Sequence, residues 1–145
     1  MSKESDQFQF WLMDMDDALE RFMQSVPRST AASLNFSAES LEILEGLILA
    51  QYATVAEAKA PEQAKRLDGY ARYVGELFRK HFGGKWKIEL DDPKNAFYRL
   101  PQIAGMRGQQ VQMCPLTMVT ASVDRRTGKF LRTIFNNYQK KQVEG

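Results

Sequence analysis

The stretch Tyr73-Val74-Gly75-Glu76-Leu77-Phe78-Arg79-Lys80-His81-Phe82-Gly83-Gly84-Lys85-Trp86-Lys87-Ile88-Glu89-Leu90 changes its hydrophobic period halfway along. Up to Phe78 the apolar residues Leu67, Tyr70, Ala71, Val74, Leu77 and Phe78 recur every three or four positions, the stripe of an amphipathic helix. Beyond Gly84, Trp86, Ile88 and Leu90 alternate with Lys85, Lys87 and Glu89, as in a strand with one buried face. A glycine pair between the two periods supplies the left-handed cap that ends the helix. Pro61 suits the first turn of this helix, where its missing N–H costs nothing. Gly75 in mid-helix should cost ~1 kcal/mol relative to alanine, so another element is expected to approach the backbone there. Arg72 and Glu76 are spaced as an i,i+4 ion pair.

Working outward, Asp91-Asp92-Pro93-Lys94-Asn95 is turn chemistry, and Phe97 to Leu100 is expected to return antiparallel to the first strand. Gly105 and Gly108 bracket a further turn. Val111 and Met113 alternate with Gln110 and Gln112 in a short third strand that Pro115 ends. Leu116 to Val123 reads either as a hairpin or as a helix opened by Pro115, and the helix is favoured. Phe130, Leu131, Ile134, Phe135 and Tyr138 mark a last helix.

Toward the N-terminus, Phe8, Trp11, Leu12, Met15, Leu19, Phe22, Met23 and Val26 predict one helix, stopped by Pro27. After a polar loop, Ser37 stands as an N-cap with Glu39 in the first turn. Leu41, Leu44, Leu47, Ile48 and Tyr52 then form a second buried stripe. The expected class is α+β: three N-terminal helices, a small antiparallel sheet of about three strands, then C-terminal helices, in one domain over residues 1–145. Residues 1–6 and 140–145 are expected to fray.

The chain's 145 residues suffice for one hydrophobic core. One cysteine, Cys114, excludes an internal disulfide, and with one histidine, His81, it cannot build the usual Cys/His zinc site. The polar start lacks the features of a secretory signal, and no apolar run approaches the length of a membrane span, so a cytoplasmic protein is expected. A single unpaired thiol suits a reducing compartment.

The net charge of +2 conceals a division. Residues 1–60 hold four basic and ten acidic side chains, a net of −6, and residues 61–145 hold sixteen basic and eight acidic, a net of +8. Glu39, Glu42 and Glu45 are three apart and predict a solvated acidic face, joined by Asp14, Asp17 and Glu20. Such a face suits docking of a basic protein. Arg125, Arg126, Lys129 and Arg132, with Lys140 and Lys141, form the opposite, basic face, which suits nucleic acid or another anionic ligand.

Catalytic chemistry finds little foothold. His81, in the last turn of its helix, reads as a dipole-stabilising residue, and Cys114 as a small buried apolar one despite its place before a helix start. Asp14, Asp16 and Asp17 spread over different helix faces and do not converge on one ion. Gly83-Gly84-Lys85, Gly128-Lys129 and Gly105-Met106-Arg107-Gly108 lack the spacing of phosphate or dinucleotide loops. No catalytic group and no cofactor are expected.

The segments Leu34-Asn35-Phe36-Ser37-Ala38-Glu39-Ser40-Leu41 and Tyr73 to Arg79, then Gly83-Gly84-Lys85-Trp86, with Pro115, Val119, Gly128 and the aromatic last helix, carry a resemblance. Across roughly residues 34–138 the chain resembles a group of small, mostly uncharacterised bacterial α+β proteins, some of them similar to immunity proteins of interbacterial toxin systems. In that pattern Gly75-Glu76 with Arg79, and Gly83-Gly84 with Trp86, are structural. The resemblance implies a non-enzymatic inhibitor that binds a cognate toxin and occludes its active cleft.

Overall fold

Seven consecutive residues of one helix, Gly69 to Gly75, are buried, so its middle two turns are covered on all sides. It is α6, Ala64–Phe82, in a computed structural model that describes residues 2–144. Before it come α1 (Lys3–Met13), α2 (Met15–Ser25), α3 (Arg28–Ser33), α4 (Ser40–Gln51), α5 (Val55–Ala58) and a 3₁₀ turn, Pro61–Gln63. After it come β1 (Lys85–Lys87), β2 (Gln102–Ala104), α7 (Pro115–Arg125) and α8 (Phe130–Glu144). The α2, α4 and α7 helices all pack on α6.

Close approach to α6 is made at its glycines. A Cβ on Gly75 would stand 2.2 Å from Cη2 of Trp86, so the β1 tryptophan occupies the space that the glycine leaves, as its mid-helix position predicts. A Cβ on Gly69 would meet Phe22 of α2 at 2.7 Å. The helix ends at Gly83 and Gly84, which have φ of 77° and 95°, and the Gly83 N–H bonds the Arg79 carbonyl.

Where three N-terminal helices were expected, six stand among the described residues: short α3 and α5, too brief to show a helical period, lie between the expected ones, and the expected first helix is two. It breaks at Asp14, whose ψ is 1°, and the reason lies in α6. Arg72 is buried there, and its guanidinium donates to the Trp11 carbonyl at 2.9 Å while stacking 4.2 Å over the Trp11 ring. A side chain inserted into a helical ladder in this way breaks it. Arg72 also donates to Asp68 at 2.6 Å, and Trp11 Nε1 donates to the other oxygen of that carboxylate at 2.8 Å. The expected Arg72–Glu76 pair is therefore not made. Glu76 instead accepts from Arg79 at 2.7 Å and from Trp86 Nε1 at 3.3 Å.

Among the described residues the sheet has two strands, not three. β1 runs antiparallel to β2, pairing Lys85 with Ala104, Trp86 with Ile103 and Lys87 with Gln102. Phe97 to Leu100, the expected partner, forms local turns because Arg99 takes a positive φ of 65°; its one tie to the outgoing chain is the Arg99 N–H on the Glu89 carbonyl. The expected third strand shrinks to a single bridge between Met113 and Ile103, with Val111 left 70% exposed. Residues 116–123 are helical, within α7. Ser37 is not the N-cap of α4: the helix begins at Ser40 with Glu39 at the cap position, and Ser37 Oγ, accepting the Ser40 N–H at 3.2 Å, closes the turn before it. α1 begins at Lys3 behind a Ser2 cap and α8 continues to Glu144, so the helices extend into the segments expected to fray; Met1 and Gly145 lie outside the described residues.

Candidate functional site

The acidic row on α4 does not lie on one solvated face. Glu39 and Glu42 are exposed, but Glu45 is 0% exposed. Its carboxylate accepts the backbone N–H groups of Leu131 at 2.8 Å and Phe130 at 3.1 Å. These are the first two residues of α8, whose N–H groups have no partner within their own helix. A carboxylate from another helix caps them, where the helix dipole favours negative charge. Spacing alone put Glu45 with Glu39 and Glu42; the arrival of α8 places it inside.

The basic face is spent in the complementary way. Arg126 ends α7 in the left-handed region at φ 54°, and its guanidinium donates to the carbonyls of Leu49 at 3.1 Å, Tyr52 at 2.9 Å and Ala53 at 3.0 Å. These carbonyls close the C-terminal end of α4. Opposite charges from the two halves of the sequence thus each meet the helix end of matching polarity. Arg132 faces Glu39 at 3.9 Å, and Arg125 lies 5.2 Å over the Phe130 ring. Lys129 remains exposed. Glu45, Arg126 and the Glu39–Arg132 pair meet along one seam between α4 and the α7–α8 turn, with Glu45 inside it and Glu42, Arg125 and Lys129 left exposed.

The N-terminal acids lie apart from that seam. Asp14 pairs with Arg21 at 2.6 Å, and the hydrogen bond from that guanidinium holds its carboxyl below the ordinary range. Asp16, Asp17 and Glu20 on α2 are exposed and make no salt bridge to a described residue. Among the described residues no three His, Cys, Asp or Glu side chains gather to hold a metal ion.

His81 Nε2 lies 2.9 Å from the Phe36 carbonyl, and its ring meets Phe135 edge-on at 4.9 Å. It ties the chain leading into α4 to the end of α6. Cys114 is 1% exposed, and burial pushes its thiol up. A thiol kept protonated is a poor nucleophile, so desolvation outweighs its position ahead of α7.

Sequence reasoning missed two exposed residues on α1. Phe10 is 68% exposed and Met13 is 78% exposed. Both fall outside the stripe of Phe8, Trp11, Leu12 and Met15, and large apolar residues off the buried stripe were the available signal. Beside them a groove of about 350 Å³ is lined by Leu12, Met13, Met15 and Trp86, with the charged Asp16, Glu76, Arg79 and Lys85 making up the rest of its walls.

Fold and surfaces together define a largely helical α+β domain whose buried charges serve its own helix ends. No family model, curated protein or solved structure matches the chain. Among the described residues no helix is long and apolar enough to cross a membrane.

Proposed function

We propose that this chain is a non-catalytic, cytoplasmic protein-binding domain, an immunity-type inhibitor that occludes a cognate bacterial toxin. The observation that carries the reading is the α2 face, where Asp16, Asp17 and Glu20 stand exposed and without an ion-pair partner among the described residues. The helix presenting them is locked to α6 by Phe22 against Gly69, so the charges are held in place before a partner arrives. Pre-organised charge of one sign raises association rate and selects partners of the opposite sign. The inward-facing ionisable groups support the same reading, because Glu45, Arg72 and Cys114 serve packing and capping.

The test is co-expression with the protein encoded immediately upstream. A complex stable through gel filtration, with host growth protected against that protein's toxicity, is expected. A toxic upstream protein that neither binds nor is neutralised would overturn the proposal. The alternative, binding of nucleic acid or another anion through the basic face, keeps Arg125 and Lys129 exposed but gives up the fork of Arg126 to α4. Salt-sensitive retention on single-stranded DNA tests it.

A further inference from the structure

The exposed residues Lys3, Asp6, Phe10, Met13, Asp17, Glu20 and Gln24 follow one another at alternating spacings of three and four along α1 and α2. Within each of the two helices, Lys3 to Met13 on α1 and Asp17 to Gln24 on α2, that is the spacing of a single face, the kind of face on which a second helix packs. The bend at Asp14 leaves the row exposed on both sides. At its centre stand Phe10 and Met13, residue types enriched in interface cores. Carboxylates flank them, Asp6 on one side and Asp17 and Glu20 on the other, with Asp16 beside the groove that adjoins Met13.

We infer that the α1–α2 ridge docks an amphipathic basic helix of a partner protein, whose apolar centre covers Phe10 and Met13 and whose lysines or arginines meet Asp6, Asp17 and Glu20. The inference rests on the protein-binding reading and names the chemistry of the partner. Charge complementarity selects this occupant. A second copy of the chain would bring the row's three carboxylates, Asp6, Asp17 and Glu20, up against a surface of the same net sign with only Lys3 to offset them, and an anionic membrane surface would be repelled by the same groups. The groove beside Met13 has one apolar side, Leu12, Met15 and Trp86, against which an apolar anchor of the incoming helix can pack, and a charged side of Asp16, Glu76, Arg79 and Lys85.

The probe is a fluorescent peptide with leucine and lysine in heptad register, compared with one in which glutamate replaces every lysine. Saturable binding of the lysine peptide is expected, weakened at least about tenfold by Phe10→Asp with Met13→Asp, and weakened by Asp6→Lys with Asp17→Lys in a manner that fades at high salt. Unchanged melting curves establish that each variant is folded. Equal binding of the two peptides, indifference to the Phe10 and Met13 changes, or no binding at all would overturn the inference. So would concentration-dependent dimerisation that Phe10→Asp abolishes, which would assign the ridge to a second copy. A complex with the upstream-encoded protein that these substitutions leave intact would remove this surface while sparing the protein-binding reading.

Discussion

The Glu45 carboxylate of α4 accepts the Leu131 backbone N–H of α8 at 2.8 Å, across 86 residues of sequence. Both side-chain oxygens are engaged, the second by Phe130, and the residue is fully buried. Glu45→Ala leaves two N–H groups at a helix start without a partner and should destabilise the fold by about 2–3 kcal/mol. Urea denaturation checks this as a lowered midpoint with little change in slope. Glu45→Lys should prevent folding at 37 °C, so a reversal of Glu39, Glu42 and Glu45 together reports on stability and not on binding.

Arg126 combines a strained backbone with useful hydrogen bonds. Arg126→Ala should cost about 1–2 kcal/mol through loss of its donors to the end of α4. Arg126→Gly loses the same donors but relieves the left-handed conformation, and should recover roughly 1 kcal/mol of that loss. Thermal melts of the two variants side by side reveal the order.

Gly75→Ala should be destabilising by about 2 kcal/mol even though alanine is the better helix former, because its methyl group enters the space of the Trp86 ring. In a Trp86→Ala background the penalty should fall to within about 1 kcal/mol, with Pro115 still close at 3.1 Å. The double-mutant cycle measures this coupling directly.

Burial pushes the Tyr52 hydroxyl from 10.0 up to about 12, with Tyr70 adding to the rise and Arg66 opposing it. Burial also raises Tyr70, Tyr73 and Tyr138. A phenol that stays protonated in the fold while the unfolded chain ionises stabilises the fold fully below pH 10, and that stabilisation is lost as pH rises from 10 toward 12. Tyr52→Phe should flatten the alkaline end of the stability profile, read by chemical denaturation over that interval.

The long helices α4, α6, α7 and α8 and the close approach at Gly75 were legible because local period and backbone cost determine them, whereas α3 and α5 are too short to show a period and the break at Asp14 is imposed by Arg72 from α6. That some element meets the backbone at Gly75 followed from one glycine placed where helix propensity opposes it; that the neighbour is Trp86 only the fold shows. The α4–α8 seam was not legible, since Glu45 shares its spacing with Glu39 and Glu42 and only the packing of a helix 86 residues away separates them. The sheet was overread for a similar reason: alternation at Val111 and Met113 and at Phe97 to Leu100 describes side chains, while strand pairing depends on backbone conformation, which Arg99 breaks. The α1–α2 ridge was written in the sequence as a second, exposed period beside the buried one, and the stronger stripe of Phe8, Trp11 and Met15 concealed it.

Amide hydrogen exchange on the chain alone and in the presence of the upstream-encoded protein tests the central claim most directly, because it locates a bound surface without mutation. Added protection should concentrate in α1 and α2, between Lys3 and Gln24. Protection confined to α4 near Glu42 or to the turn carrying Arg125 and Lys129, with α1 and α2 exchanging as in the free chain, would contradict it.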